Sequence, residues 1–215
     1  MKLHLGCGQK YLEGYVNIDF PSTEHTVQNT SVADEFHNLF ELKYPQNAIE
    51  EVRLHHVFEH FDRATVCAFM SGWNSWLKVG GKLHIEVPDF ENTFKKNMSL
   101  LKREKFEGIA LRHIFGSQEA PWAVHYEGYS EKLLTKIFKT FGFDVKVINK
   151  TDYKRTFNIE IIGIKVKSLN KSEARKAAAE YLKFYLVDDS SSEMQMHGVW
   201  LSNFDKQLDK TFAGI

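Results

Sequence analysis

The chain has 215 residues, 43% of them apolar, enough for a sizeable core in one large domain or in one domain with an appendage. Lys and Arg number 28 and so do Asp and Glu, a balance that argues against a protein whose main business is binding nucleic acid. No run of about 18 apolar residues occurs, so no membrane insertion is expected. The amino terminus enters a strand at once, which is not the pattern of a signal peptide. The two cysteines, Cys7 and Cys67, imply no disulfide framework, and a reducing cytoplasm is the expected compartment.

The first stretch, KLHLGCGQKYLEGYVNID, organises the rest. Leu3 and Leu5 alternate with polar residues and run into Gly6-Cys7-Gly8; Val16 and Ile18 form a second apolar run that stops at Asp19. This reads as strand, glycine turn, short connection, strand, acid. Glycines at such a turn let the backbone approach a ligand closely, and an acid at the tip of the next strand can accept hydrogen bonds from the hydroxyls of a ribose. Only ten residues separate Gly8 from Asp19, too few for a full crossover helix, so a turn or two is expected there.

A weak third strand is expected over 31–36, ending at His37-Asn38-Leu39, and a fourth over 50–54. The fourth delivers His55-His56-Val57-Phe58-Glu59-His60 to its carboxyl end. Val66, Phe69, Met70, Trp73 and Leu77 then fall on one helical face, with a stop at Val79-Gly80-Gly81. Leu83, Ile85 and Val87 alternate as a fifth strand, and 90–103 reads as helix. The stretch 107–129 holds Gly116, Pro121, Gly128 and two histidines without a sustained period, which suggests a mobile lid. Helical spacing returns at Leu133, Leu134, Ile137, Phe138 and Phe141. Strands over 144–149 and 156–167 follow, joined by 150–155, too short for a crossover helix, so the pair should be an antiparallel hairpin. Asn170 with Glu173 makes a capping box for a helix, and a last amphipathic segment carries Leu201, Phe204 and Leu208. Alternating strands and helices with a terminal hairpin predict an α/β fold, a doubly wound, mostly parallel sheet over 1–167, with a helical appendage over 168–215.

LHLGCG, GYVNID, EEVRLHHVFEHF, LKVGGKLHIEVPDF, IFGSQ and HYEGYSEKLLTKIFKTFGF resemble, in order, the signatures of class I S-adenosylmethionine-dependent methyltransferases, and most of all those of a subgroup of small bacterial enzymes often associated with surface glycan and natural-product pathways. The resemblance covers roughly 2–167 and implies a Rossmann-like sheet of seven strands with S-adenosyl-L-methionine as cofactor. It assigns Gly6, Cys7 and Gly8 to the methionine part of the cofactor, Asp19 to the ribose, and Asn38 with Leu39 to adenine; His55 stands at the same cleft. The family commonly has an aspartate where this chain has Asn38, and an amide can still donate to and accept from an adenine edge.

Amino-methylating DNA enzymes of this fold carry an Asn or Asp followed by Pro-Pro and an aromatic after the fourth strand, where this chain has His55-His56-Val57-Phe58. With neutral net charge, this points to a hydroxyl on a sugar, glycan or small metabolite. Histidine titrates near neutrality, so His56 is the expected base, with His125 as its alternative and Glu59 or His60 as orienting partners. That reading assigns no metal. Two other readings compete: a module that binds the cofactor without catalysis, and a zinc hydrolase suggested by H-x-x-E-H at 56–60, which needs both histidines on one helix. Among the tryptophans, Trp73 and Trp76 read as core and Trp122 as a cleft residue. The basic run Lys95, Lys96, Lys102, Arg103 and Lys105 reads as a solvated helix face.

Overall fold

The apolar alternation at the amino terminus becomes the middle of a sheet. The protein is represented by a computed structural model that describes residues 1–21, 31–98 and 103–212. Strand β1 (Lys2–Leu5) pairs in parallel with β2 (Val16–Asp19) on one side and with β4 (Ile49–His55) on the other. Strand β3 (Glu35–Phe36) extends β2, and β5 (Leu77–Pro88) runs parallel to β4. The hairpin of β6 (Phe143–Tyr153) and β7 (Thr156–Lys165) joins β5 antiparallel through β7. The order β3-β2-β1-β4-β5-β7-β6 is the mostly parallel, seven-stranded Rossmann-like arrangement expected from the sequence.

Period-two alternation sorts the strands into two unlike faces. Leu3, Leu5, Val52, Leu54, Leu83, Ile85, Val87, Ile159 and Ile161 are all buried in one hydrophobic cluster. The residues between them are polar and pair with one another. The His4 ring lies 3.1 Å from the Asn17 side-chain oxygen, Arg53 lies 3.1 Å from His84, and His84 lies 2.5 Å from Glu160. Asn17 also holds the short β1–β2 connection, accepting from Leu12 N (2.9 Å) and donating to Leu12 O (3.1 Å). One buried amide thus supplies the backbone partners that a crossover helix would otherwise supply itself.

Helix α1 (Arg63–Trp76) starts where the Asp62 carboxylate accepts from the backbone of Ala64 and Thr65, and it is buried from Ala64 to Trp76. Such burial requires neighbours on both sides. Val66, Phe69, Met70 and Trp73 join the same buried cluster as the strands, with Phe69 against Phe40 and Phe61 and Trp73 against Phe58. The outer side is covered by α5 (Lys171–Lys183) and α6 (Ser191–Thr211), which follow α4 (Glu131–Thr140) and the hairpin. A β-carbon at Gly72 would lie 3.1 Å from the Thr211 side chain, so a glycine permits α6 to approach closely. Trp76 donates its ring N–H to Thr211 O at 2.8 Å, and Asn74 bonds Phe141 O, Lys167 O and Leu169 N. Among the described residues no helix is long and apolar enough to cross a membrane.

Several boundaries differ from the sequence expectation, the third strand for one being only Glu35–Phe36. Helix α1 ends at Trp76 rather than at the glycines, because Leu77 is extended and pairs with Ile49; the ladder resumes at Lys82 opposite Glu51 after an irregularity. The expected helix over 90–103 is α2 (Phe90–Asn97), and 99–102 lie outside the described residues. The aperiodic stretch 107–129 begins inside a helix, α3 (Arg103–Phe115), whose inward face of Phe106, Ile109, Ala110 and Ile114 is masked in the sequence by the exposed apolar Leu111 and Phe115. The hairpin ladder continues to Tyr153 opposite Thr156, so the expected 150–155 connector reduces to Lys154-Arg155. Both have positive φ, 48° and 73°, as a two-residue turn between twisted strands requires.

Lys165 is wholly buried on the apolar face, where its ammonium donates to Leu77 O (2.7 Å) and Asn47 Oδ1 (3.0 Å). Burial pulls its pKa from 10.5 down to about 8. Because the folded value lies below the unfolded one, the unfolded chain holds more protons between those limits, and stability rises with pH across that window. Urea unfolding at pH ~7.5 and ~10 should show the wild type gaining roughly 2–3 kcal/mol relative to Lys165→Met. A constant difference between the two proteins would refute this account.

Candidate active site

Parallel pairing puts the carboxyl ends of β1, β2 and β4 side by side, and the site is built on them. After Leu5 the chain turns at Gly6, whose φ of 67° suits glycine. Gly6 N and Cys7 N both donate to Ile18 O, at 2.8 and 3.1 Å. A β-carbon on Gly6 would stand 2.4 Å from a methyl group of Val57, so the turn is fitted against the segment leaving β4. Asp19 closes it from the other side. Its carboxylate accepts from Gly8 N (3.0 Å), Phe20 N (2.9 Å) and Ser31 Oγ (3.3 Å), and the residue is only 5% exposed.

A cavity of about 350 Å³ opens over these strand ends. Gly6, Gly8, Asp19, Asn38, Leu39, His56, His60 and Trp122 all line it, so residues singled out separately in the sequence meet around one space. Asn38 caps a short 3-10 turn (Leu39–Glu41) by accepting from Phe40 N at 3.0 Å, an arrangement that directs its amide NH₂ elsewhere. Two of the residues expected to hold the cofactor do not line this cavity. Cys7 is buried, and burial with the nearby Asp19 charge pushes its thiol up to about 11. The His55 imidazole is engaged by Glu86 at 3.1 Å, on the polar face of the sheet shared with Arg53. The apolar lining from Phe20, Phe40, Val57 and Phe61 was not foreseen; only the aromatic richness of the sequence hinted at it.

His56 begins the exit from β4 in the left-handed region, φ 55°, with its N–H donating to Glu86 O at 2.9 Å. Phe58–His60 then forms a single 3-10 turn. Residues 56–60 therefore lack the long helix whose one face would carry both histidines of a metallopeptidase. The carboxylate of Glu59 is 1% exposed and lies 3.3 Å from His56 Nδ1. Burial opposes charge on both groups, yet their mutual hydrogen bond and attraction prevail, holding the His56 pKa above and the Glu59 pKa below their ordinary values. Burial lowers the pKa of His125 and of His113, despite the raising pull of the Glu59 charge on each.

A second cavity, about 340 Å³, adjoins the first. His125, His113 and Arg112 line it with Tyr153 and Asn158, and His56 is common to both cavities. His113 and Arg112 come from α3, the helix that the sequence pattern hid. The segment after α3 is tied in place: Tyr126 N donates to Glu59 O (2.8 Å), His125 N to Phe115 O (3.2 Å), and Phe90 N to Tyr129 O (2.9 Å). Trp73 and Trp76 are core at 1% exposure, whereas Trp122 borders the cavity. In the basic run, Lys95 pairs with Glu91 and Lys96 lies over the Phe157 ring, consistent with a solvated helix face.

Comparison with protein-family models and with curated protein sequences found no match. Solved structures do match. One is from the complex between the Haloferax volcanii Trm112 methyltransferase activator and a candidate methyltransferase: 13% identity, TM-score 0.52, covering 79% of this chain and 83% of that one. Another is the Burkholderia thailandensis 1,6-didemethyltoxoflavin-N1-methyltransferase with bound 1,6-didemethyltoxoflavin and S-adenosylhomocysteine: 10% identity, TM-score 0.50, covering 77% of this chain and 71% of that one. These likenesses establish a shared fold.

The fit of Gly6 against Val57 can be separated from backbone strain. Gly14 also has positive φ, 79°, but a β-carbon there meets nothing within 4 Å. Gly14→Ala should cost only the strain, about 1 kcal/mol, whereas Gly6→Ala should cost about 2–4 kcal/mol because Val57 must also move. Thermal unfolding of the two variants checks this; equal losses would mean that the Gly6–Val57 contact is easily relieved.

Proposed function

We propose that this chain is an S-adenosylmethionine-dependent methyltransferase acting on a hydroxyl oxygen of a sugar, glycan or other small molecule. The observation that carries the reading is the convergence of Gly6, Gly8, Asp19, Asn38 and Leu39 on one cavity that His56 and His60 also line. A glycine turn that brings backbone close to a ligand, a nearly buried carboxylate beside it, and an amide-bearing turn suit the amino-acid, ribose and adenine parts of the cofactor respectively. When bound, the cofactor supplies a methyl group already activated by its sulfonium charge.

The protein's own tasks are then alignment and proton removal. His56 stands where the two cavities meet, which suits a base between cofactor and acceptor. A neutral imidazole that donates Nδ1–H to Glu59 keeps its lone pair on Nε2, where it could take the hydroxyl proton when the acceptor oxygen gains the methyl group and the sulfur, losing it, becomes a neutral thioether. The buried Glu59 charge then stabilises the imidazolium. His125, on the wall of the second cavity, is the alternative base.

Calorimetric titration with S-adenosylhomocysteine tests the cofactor site. Asp19→Ala should weaken binding by about 1–3 kcal/mol, the range for removing a charged hydrogen-bond partner; unchanged affinity would remove Asp19 from the site. Methyl transfer from labelled cofactor across a panel of sugar nucleotides and glycans tests the reaction. Replacing the true base, His56→Ala or His125→Ala, should cost about 10²- to 10⁴-fold in turnover with cofactor affinity nearly intact. Near-normal turnover in both variants would refute the assignment of a histidine base.

A further inference from the structure

Glu59, His60 and His125 each offer one ligand atom, and these atoms lie within 4.8 Å of one another. The carboxylate of Glu59 is buried, and while Oε1 faces His56, Oε2 has no hydrogen-bond partner among the described residues. An orphaned carboxylate oxygen at such depth is costly unless something cationic meets it. The two imidazoles are set in a matching way. His60 Nδ1 lies 3.1 Å from Val124 O, and His125 Nδ1 lies 3.1 Å from His113 O. A carbonyl oxygen only accepts, so Nδ1 carries the hydrogen in each ring and a neutral ring keeps its lone pair on Nε2. Fixing a histidine through its other nitrogen to a backbone carbonyl is how proteins orient metal ligands. The His125 Nε2 atom is 3.9 Å from Glu59 Oε1, and the two rings meet edge to face with centroids 4.8 Å apart.

We propose that Glu59, His60 and His125 form a binding site for a single divalent transition-metal ion, at the wall between the two cavities. Two imidazole nitrogens and one carboxylate oxygen are a donor set for zinc, iron, cobalt or nickel, and they leave coordination positions open. Magnesium and calcium prefer all-oxygen surroundings, which this trio does not offer. His60 borders the first cavity and His125 the second, so an open position is accessible from the side where an acceptor would enter. The neighbouring group His55, His56 and Glu86 is a weaker candidate, because His55 already occupies a Glu86 oxygen at 3.1 Å. On the methyl-transfer reading, on which this role rests, the ion would hold the acceptor oxygen and ease loss of its proton to His56.

Cobalt is a direct probe. The full chain, dialysed against a chelator, is titrated with Co²⁺ and followed by its visible d–d absorption. A band saturating at one equivalent and displaced by Zn²⁺ is expected. His60→Ala, His125→Ala and the shape-preserving Glu59→Gln should each weaken Co²⁺ binding by on the order of 100-fold or more. The exposed His37→Ala should leave it unchanged, and circular dichroism shows which variants are folded. Absence of the band in the wild type, or equal binding by folded His60→Ala and His125→Ala, would overturn the proposal. Titration of the same samples with S-adenosylhomocysteine separates the two readings. Affinity for it without a Co²⁺ site removes the ion and leaves methyl transfer standing; a Co²⁺ site without such affinity keeps the ion and removes methyl transfer.

Discussion

The parallel register of β1 with both β2 and β4 is the constraint from which the site follows. It aligns Leu5 with Ile18 and with Leu54, so the next residues, Gly6, Asp19 and His55-His56, emerge at one edge of the sheet. In a strand a shift of one residue would exchange the two faces. Here it would put Arg53 and His84 among the apolar cluster, where Val52 and Leu83 now sit, and part them from Glu160, which is costly for polar groups. The hydrophobic pattern therefore fixes the relative positions of turn, acid and histidines before any ligand is considered.

Much of this was legible because the chemistry is local. LHLGCG and GYVNID each carry their strand, turn and functional residue within a few positions, and period two or 3.6 identifies the element directly. The elements that escaped are those whose environment is set by distant partners. Helix α3 half-buries one face, Phe106, Ile109, Ala110, His113 and Ile114, but Leu111 and Phe115 are equally apolar and exposed, so no single stripe stands out; the His113 ring bonds Phe157 O at 2.7 Å. Strand β6 continues past Asn149 with exposed residues because backbone pairing to β7 alone sustains it.

The site divides in the same way. Gly6, Gly8, Asp19 and Asn38 could be assigned from order along the chain, since a parallel sheet converts that order into adjacency. His55 could not be separated from His56 by sequence: the strand's alternation ends between them, and the left-handed turn at His56 re-aims its side chain. The meeting of His125 with Glu59 and His60 is tertiary throughout, made by Tyr126 N on Glu59 O and by His60 on Val124 O. Nothing in the local pattern of 116–130 announces it.

The covering of α1 by α6 has a consequence for the order of events during synthesis. Segments emerge and fold from the amino terminus onward. The sheet and α1 can assemble once β7 has been made, but the outer side of α1 stays open to water until the later segment 191–211 arrives. Gly72 and Trp76 wait there for Thr211. Until it comes, the indole offers apolar surface to other chains. Covering the outer side of α1 therefore also removes a provisional sticky patch.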